Sequence, residues 1–80
     1  MAKRVDNKVK DALINVLGIW QDTKNSDQGS RFLDARQAYH DVIMSFQKQG
    51  IITDYNILTG TLTFPDGSTR VTGKTTKYGD

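Results

Sequence analysis

Residues 46–64 constrain the fold most, because a helix end, a stop signal and a hairpin fall within one short stretch. Gly50 follows a helical run and precedes Ile51, the pattern of a helix ended by a left-handed residue. Ile51 then folds back toward Phe46. Tyr55-Asn56-Ile57-Leu58 and Thr61-Leu62-Thr63-Phe64 flank Thr59-Gly60. Taken as a two-residue hairpin loop, Thr59-Gly60 sets Leu58 opposite Thr61, Ile57 opposite Leu62 and Tyr55 opposite Phe64. Large apolar pairs then share one side of the ribbon, which a one-residue slip would scatter.

Upstream, Val5, Val9, Leu13, Val16, Leu17 and Trp20 recur at helical spacing and predict a helix over about residues 5–20. Asp6 and Asp11 lie toward its N-terminal half, where the helix dipole favours acids. Residues 21–30 read as a polar loop, with Ser30 or Asp27 capping the next helix. Phe32, Ala35, Tyr39, Val42, Ile43 and Phe46 predict a second helix over about residues 31–49. Pro65-Asp66-Gly67 is a turn signal leading to a third strand. A four-residue loop over Pro65–Ser68 places Val71 opposite Leu62, whereas a three-residue loop places Arg70 there; burial of the apolar side chain favours the longer loop.

The expected fold is therefore α+β in two layers: two antiparallel helices packed on a three-stranded antiparallel β-meander, order α-α-β-β-β. Residues 1–72 form one small domain, and residues 73–80 a flexible, polar, basic tail. The expected core is Val9, Leu13, Val16, Leu17, Trp20, Phe32, Tyr39, Val42, Ile43, Phe46, Tyr55, Ile57, Leu62 and Phe64.

Several chemistries are set aside. With no cysteine, disulfides and thiolate catalysis are excluded. No apolar run approaches the ~20 residues that span a bilayer. The start, Met-Ala-Lys-Arg, leads into polar residues rather than an apolar segment, so the expectation is a cytoplasmic protein without membrane association. His40 stands beside Asp41, but neighbours on a helix do not face each other, and no motif supplies a nucleophile. One histidine with scattered aspartates does not make a metal site. Gly67-Ser68-Thr69-Arg70 and Gly73-Lys74-Thr75 lack the strand-to-helix context of a phosphate cradle. No enzyme activity and no cofactor are expected.

Two functional readings remain. An open meander has two edges that pair readily with another chain, and a core this small gains from oligomerisation. The apolar flank Ile14, Ile19, Leu33 and Met44, with Tyr78 in the tail, supplies candidate partner contacts. Alternatively, Lys3, Arg4, Lys8 and Lys10 at one end and Arg70, Lys74 and Lys77 at the other meet nucleic-acid phosphates, provided the fold gathers them on one side. The net charge of +2 is too small to decide between the two.

The helix, polar loop, second helix and QKQGIITDYNI segment resemble the C-terminal region of contractile phage tail sheath proteins, over about residues 13–58. In that family too a helix ends in a Gln-Gly-apolar step and passes into a strand. The Phe64-Pro65-Asp66-Gly67 hairpin and the basic tail depart from the family pattern, and no functional residue carries over. The resemblance implies a phage-type accessory or assembly protein, in the host cytoplasm or the virion, with a protein partner or a homo-oligomer.

Overall fold

The computed structural model describes residues 5–26 and 33–77. Helix α1 spans Asn7–Asn25 and α2 spans Leu33–Lys48; strands β1 (Asp54–Asn56), β2 (Thr61–Thr63) and β3 (Thr69–Val71) form an antiparallel sheet in the order β1-β2-β3. The fold is α+β with the order α-α-β-β-β.

Asp6 caps α1: its backbone is extended and its carboxylate accepts from Lys8 N at 3.0 Å. The helix runs five residues past its expected end, because the polar residues there bond to other parts of the chain. Arg36 on α2 donates twice to the Thr23 carbonyl, at 3.0 and 2.7 Å, and so anchors the antiparallel helix pair. Thr23 Oγ1 donates to the Trp20 carbonyl at 2.7 Å. Gln21 is fully buried and serves three partners, described below. The second helix ends as expected: Gly50 adopts φ +76°, Ile51 N donates to Phe46 O at 3.0 Å and Gly50 N to Gln47 O at 3.1 Å. The cap candidates Ser30 and Asp27, and Phe32 of the expected core, lie outside the described residues.

Both hairpin registers differ from expectation. Tyr55 faces Leu62 and Asn56 faces Thr61, so the first loop holds four residues, 57–60, rather than two. The cause is Asn56: its side-chain oxygen accepts from Leu58 N at 2.9 Å and Thr59 N at 3.3 Å, and its carbonyl accepts from Gly60 N at 2.8 Å. The slip is two residues, so the apolar face is kept, while Ile57 is buried in the loop instead of a strand. In the second hairpin Leu62 faces Arg70, not Val71. Gly67 N donates to Phe64 O at 3.0 Å and Phe64 N to Ser68 O at 2.9 Å, closing a three-residue loop with Gly67 at φ +87°. Arg70 tolerates the inward position because its guanidinium reaches past the sheet edge to Asn7 and Asp11 on α1, at 3.3 and 3.7 Å. Val71 consequently lies 65% exposed.

The buried core is Val5, Leu13, Leu17, Trp20, Ile43, Ile52, Ile57, Leu62 and Phe64, with Ile14, Val16, Tyr39, Phe46, Ile51 and Tyr55 packed against it. Val9 and Val42, expected inside, are exposed. For α1 the reason is rotation. Its buried face runs through Lys10, Leu13, Leu17, Trp20 and Gln21, so two polar residues occupy inward positions and Val9 is turned aside.

Candidate interaction surface

The C-terminal strand and the segment after it lie along α1, and polar bonds hold them there. Thr72 N donates to Gly60 O at 2.8 Å, and its hydroxyl donates to Gln21 Oε1 at 2.6 Å. Gln21 Nε2 donates to the carbonyls of Ile57 and Lys74, each at 3.1 Å. Thr76 N donates to Leu58 O at 2.9 Å, and Thr76 Oγ1 also bonds to Ile57 O. Asn25 receives Lys77 N and donates to Thr75 O at 2.9 Å. Residues 73–77 belong to the stretch 73–80 expected as a flexible basic tail, and these bonds join them to α1 and to the first hairpin loop.

The approach is close at Gly18, where a Cβ would stand in ordinary contact with Thr72 Cγ2 at 3.7 Å and Lys74 Nζ at 3.9 Å. The seam leaves a surface groove of about 600 Å³ lined by Ile14, Asn15, Gly18, Ile19, Val71, Thr72 and Lys74. Ile19 is 44% exposed. An ion pair stands at each end: Asp11 with Arg70 at 3.7 Å, and Asp22 with Lys74 at 2.9 Å. The strand beside the groove is an edge. Ser68 O and Thr72 N bond inward to Phe64 and Gly60, so the alternation turns the backbone groups of Thr69 and Val71 away from β2.

Of the candidate contacts, Ile14 and Ile19 come together in this groove. Leu33 does not join them. It lines a separate cleft of about 420 Å³ with Trp20, Lys24, Arg36, Gln37 and His40. Met44 is half-buried, its sulfur accepting from Tyr55 Oη at 3.3 Å. Tyr78 lies outside the described residues. Sequence reasoning missed Val71, having assigned it to the interior on the longer loop.

The basic residues are dispersed. Lys3 and Arg4 lie outside the described residues. Lys8 sits on the first turn of α1, and Lys77 lies beside Asn25 at the other end, about 25 Å away along the helix axis. Arg70 and Lys74 carry the ion pairs above. Lys10 is buried: its ammonium donates to Asp66 Oδ2 and Ser68 Oγ, both at 2.7 Å, and stands 5.2 Å from the centre of the Phe64 ring. The hydrogen bond from Lys10, with those from the Ser68 hydroxyl and amide, holds the Asp66 carboxyl well below the usual carboxylate range. This cluster fastens the second hairpin turn to α1 and uses the Ser68 amide and hydroxyl, so they are not presented to an incoming phosphate.

His40 stacks edge-on against Trp20 at 5.4 Å, and its Nδ1 lies 3.6 Å from Asp41 Oδ1, beyond hydrogen-bonding distance. Among the described residues no group of three or more His, Cys, Asp or Glu side chains is placed to hold a metal ion, and no helix is long and apolar enough to cross a membrane. No protein-family model, curated protein or solved structure matches the chain.

Proposed function

We propose that the chain is a non-enzymatic protein-interaction module that works through the face formed by α1 and β3. The observation that carries this reading is the juxtaposition of Ile14, Ile19 and the exposed Val71 beside a sheet edge whose backbone groups point away from β2. Apolar contact supplies affinity on such a surface, and an added strand or packed helix satisfies the edge. The resemblance of residues 13–58 to tail sheath C-terminal regions makes a phage-type assembly or accessory role the proposed setting, in the host cytoplasm or the virion.

The test is capture from the source cell with immobilised wild-type chain and with an Ile19→Lys/Val71→Lys variant. Both positions are exposed, so the fold tolerates the change, and circular dichroism checks this. The expected result is a specific protein retained by the wild type and lost with the variant. An identical captured set would refute the reading.

A further inference from the structure

Residues 74–77 are held in place the way a bound peptide is. Gly73, at φ +78° and with nothing within 4 Å of the Cβ it lacks, divides them from β3. Each of the four is then read at a main-chain atom. Gln21 Nε2 donates to the Lys74 carbonyl at 3.1 Å, and Asn25 Nδ2 to the Thr75 carbonyl at 2.9 Å. The Thr76 amide donates to the Leu58 carbonyl at 2.9 Å, and the Lys77 amide to Asn25 Oδ1. Alternate side chains are read as well: Lys74 Nζ meets Asp22 Oδ2 at 2.9 Å, and the Thr76 hydroxyl donates to the Ile57 carbonyl. Thr75 and Lys77 are exposed.

We propose that the junction of α1 with the first hairpin loop is a peptide-binding site, filled here by the chain's own residues 74–77, and that it takes from a partner protein a non-helical segment of the pattern Lys-x-Thr-x. The pattern follows from the contacts: an acid receives the first side chain, a carbonyl receives the third, and the other two positions are open to solvent. The receiving groups are already set. Gln21 is fully buried, and without the segment it still donates to Ile57 and accepts from Thr72, which precedes the hinge. The occupant, by contrast, brings no large apolar side chain. Its hydrogen bonds replace bonds to water at small net gain, and its ion pair is exposed. Tethering therefore supplies most of its hold, through an effective concentration in the millimolar range for a short connection. A segment held in this way opens locally, well below the free energy of unfolding, and a partner that repeats its contacts and adds some of its own displaces it. This site is separate from the α1–β3 edge: the Ile19→Lys/Val71→Lys capture experiment tests that edge, and neither result decides the other.

The test is an NMR titration of the full chain carrying Lys74→Ala/Thr76→Ala, which weakens the resident segment and leaves the receiving groups intact. The probe is a capped peptide of residues 73–77, Gly-Lys-Thr-Thr-Lys. It is expected to shift the side-chain amide signals of Gln21 and Asn25 with a Kd of about 1 mM. Wild-type chain, with its own segment in place, is expected to bind the peptide about tenfold or more weakly. Peptides carrying Lys74→Glu or Thr76→Val are expected to bind the variant about fivefold more weakly than the original peptide. Adding Asp22→Lys to the variant chain is expected to reverse the charge preference, so that the Lys74→Glu peptide binds better than the original.

A second measurement uses wild-type chain alone, should the variant fail to fold. Hydrogen exchange at the Thr76 and Lys77 amides is expected to run about tenfold or more faster than at Leu17 in the middle of α1, and to respond little to low urea. Gln21 and Asn25 signals that stay fixed up to about 10 mM peptide overturn the proposal. So do control peptides that bind as tightly as the original, or Thr76 and Lys77 amides that exchange only at the rate of the core.

Discussion

Gly60 lies where the first hairpin loop, α1 and the segment after β3 meet, and replacing it by alanine measures how tightly they are joined. Its φ is +69°, a backbone region that costs an L-residue about 1–2 kcal/mol. Reduced freedom of the unfolded chain returns about 0.4–1 kcal/mol, leaving a net loss near 1 kcal/mol from conformation alone. Gly67 has a similar φ of +87°, but a Cβ there meets nothing within 4 Å, so Gly67→Ala should show that conformational loss by itself. At Gly60 the Cβ would overlap Thr72 Oγ1 and lie 2.7 Å from both amide atoms of Gln21. To make room, the Thr72–Gln21 bond and the two bonds Gln21 makes to carbonyls must shift. At about 0.5–1.5 kcal/mol each, their loss adds about 2–4 kcal/mol. Gly60→Ala should therefore destabilise by about 3–5 kcal/mol, against a total near 4–12 kcal/mol for a chain of this length. The melting temperature should fall by about 15 °C or more for Gly60→Ala and by about 5 °C for Gly67→Ala. Urea denaturation of both variants, and of Gly60→Ala combined with Thr72→Ala, is the assay. The double variant should be less destabilised than the sum of its parts, because the overlapping hydroxyl is gone. Equal losses at the two glycines, or strict additivity with Thr72→Ala, would refute the close-packing argument.

Two further predictions concern polar groups whose bonding in the folded state makes stability depend on pH. Gln21→Glu replaces a donor to two carbonyls with an acid, so the variant should tolerate low pH and lose stability as the buried carboxyl ionises; a loss near 3 kcal/mol is expected at about pH 7, and denaturation midpoints across pH that run parallel to wild type would contradict it. Asp66 behaves in the opposite sense: its carboxyl is depressed in the folded state, so its contribution is complete above the unfolded value near 4 and is lost as pH falls toward the folded value. Asp66→Asn should therefore be less stable than wild type at neutral pH, with the gap narrowing in acid, as read from urea midpoints at about pH 7 and about pH 2.5.

The parts of the fold legible in the sequence were those set by local backbone chemistry. Gly50 before Ile51 marked a helix stop, which the structure forms with Gly50 at positive φ and Ile51 bonded back to Phe46, and Pro65-Asp66-Gly67 marked a turn. Hydrophobic periodicity found both helices and most of the core. It failed where polar residues point inward. Lys10 and Gln21 lie on the buried face of α1, and their partners are 36 or more residues away, so nothing near them in sequence announces the role. The same failure placed the end of α1 too early, since residues 21–25 are polar because they bond to the chain and not because they form a loop. The hairpin register slipped because Asn56 closes a longer loop through its side chain than Thr59-Gly60 alone suggests. On the candidate surface, Ile14 and Ile19 were legible as a surplus apolar flank. Val71 was not, because ranking loops by burial assumes that an arginine cannot face inward, and Arg70 does so by reaching over the sheet edge to α1.

The bonding of Gln21 also orders events during synthesis. Its amide is satisfied only when the carbonyls of Ile57 and Lys74 and the Thr72 hydroxyl have arrived. Until then the C-terminal turns of α1 hold a polar side chain on the helix's inward face with no protein partner for it, and water serves in its place. The ribosome adds about 5–20 residues per second, so this interval lasts a few seconds, far longer than a helix needs to form and melt. Helix α1, made before the other described elements, is thus among the last of them to be locked. Contacts so distant in sequence carry a loop-closure penalty before they return any stabilisation. The bonds that fix the C-terminal turns of α1 are therefore completed only when the strand and segment that follow Pro65 settle along it.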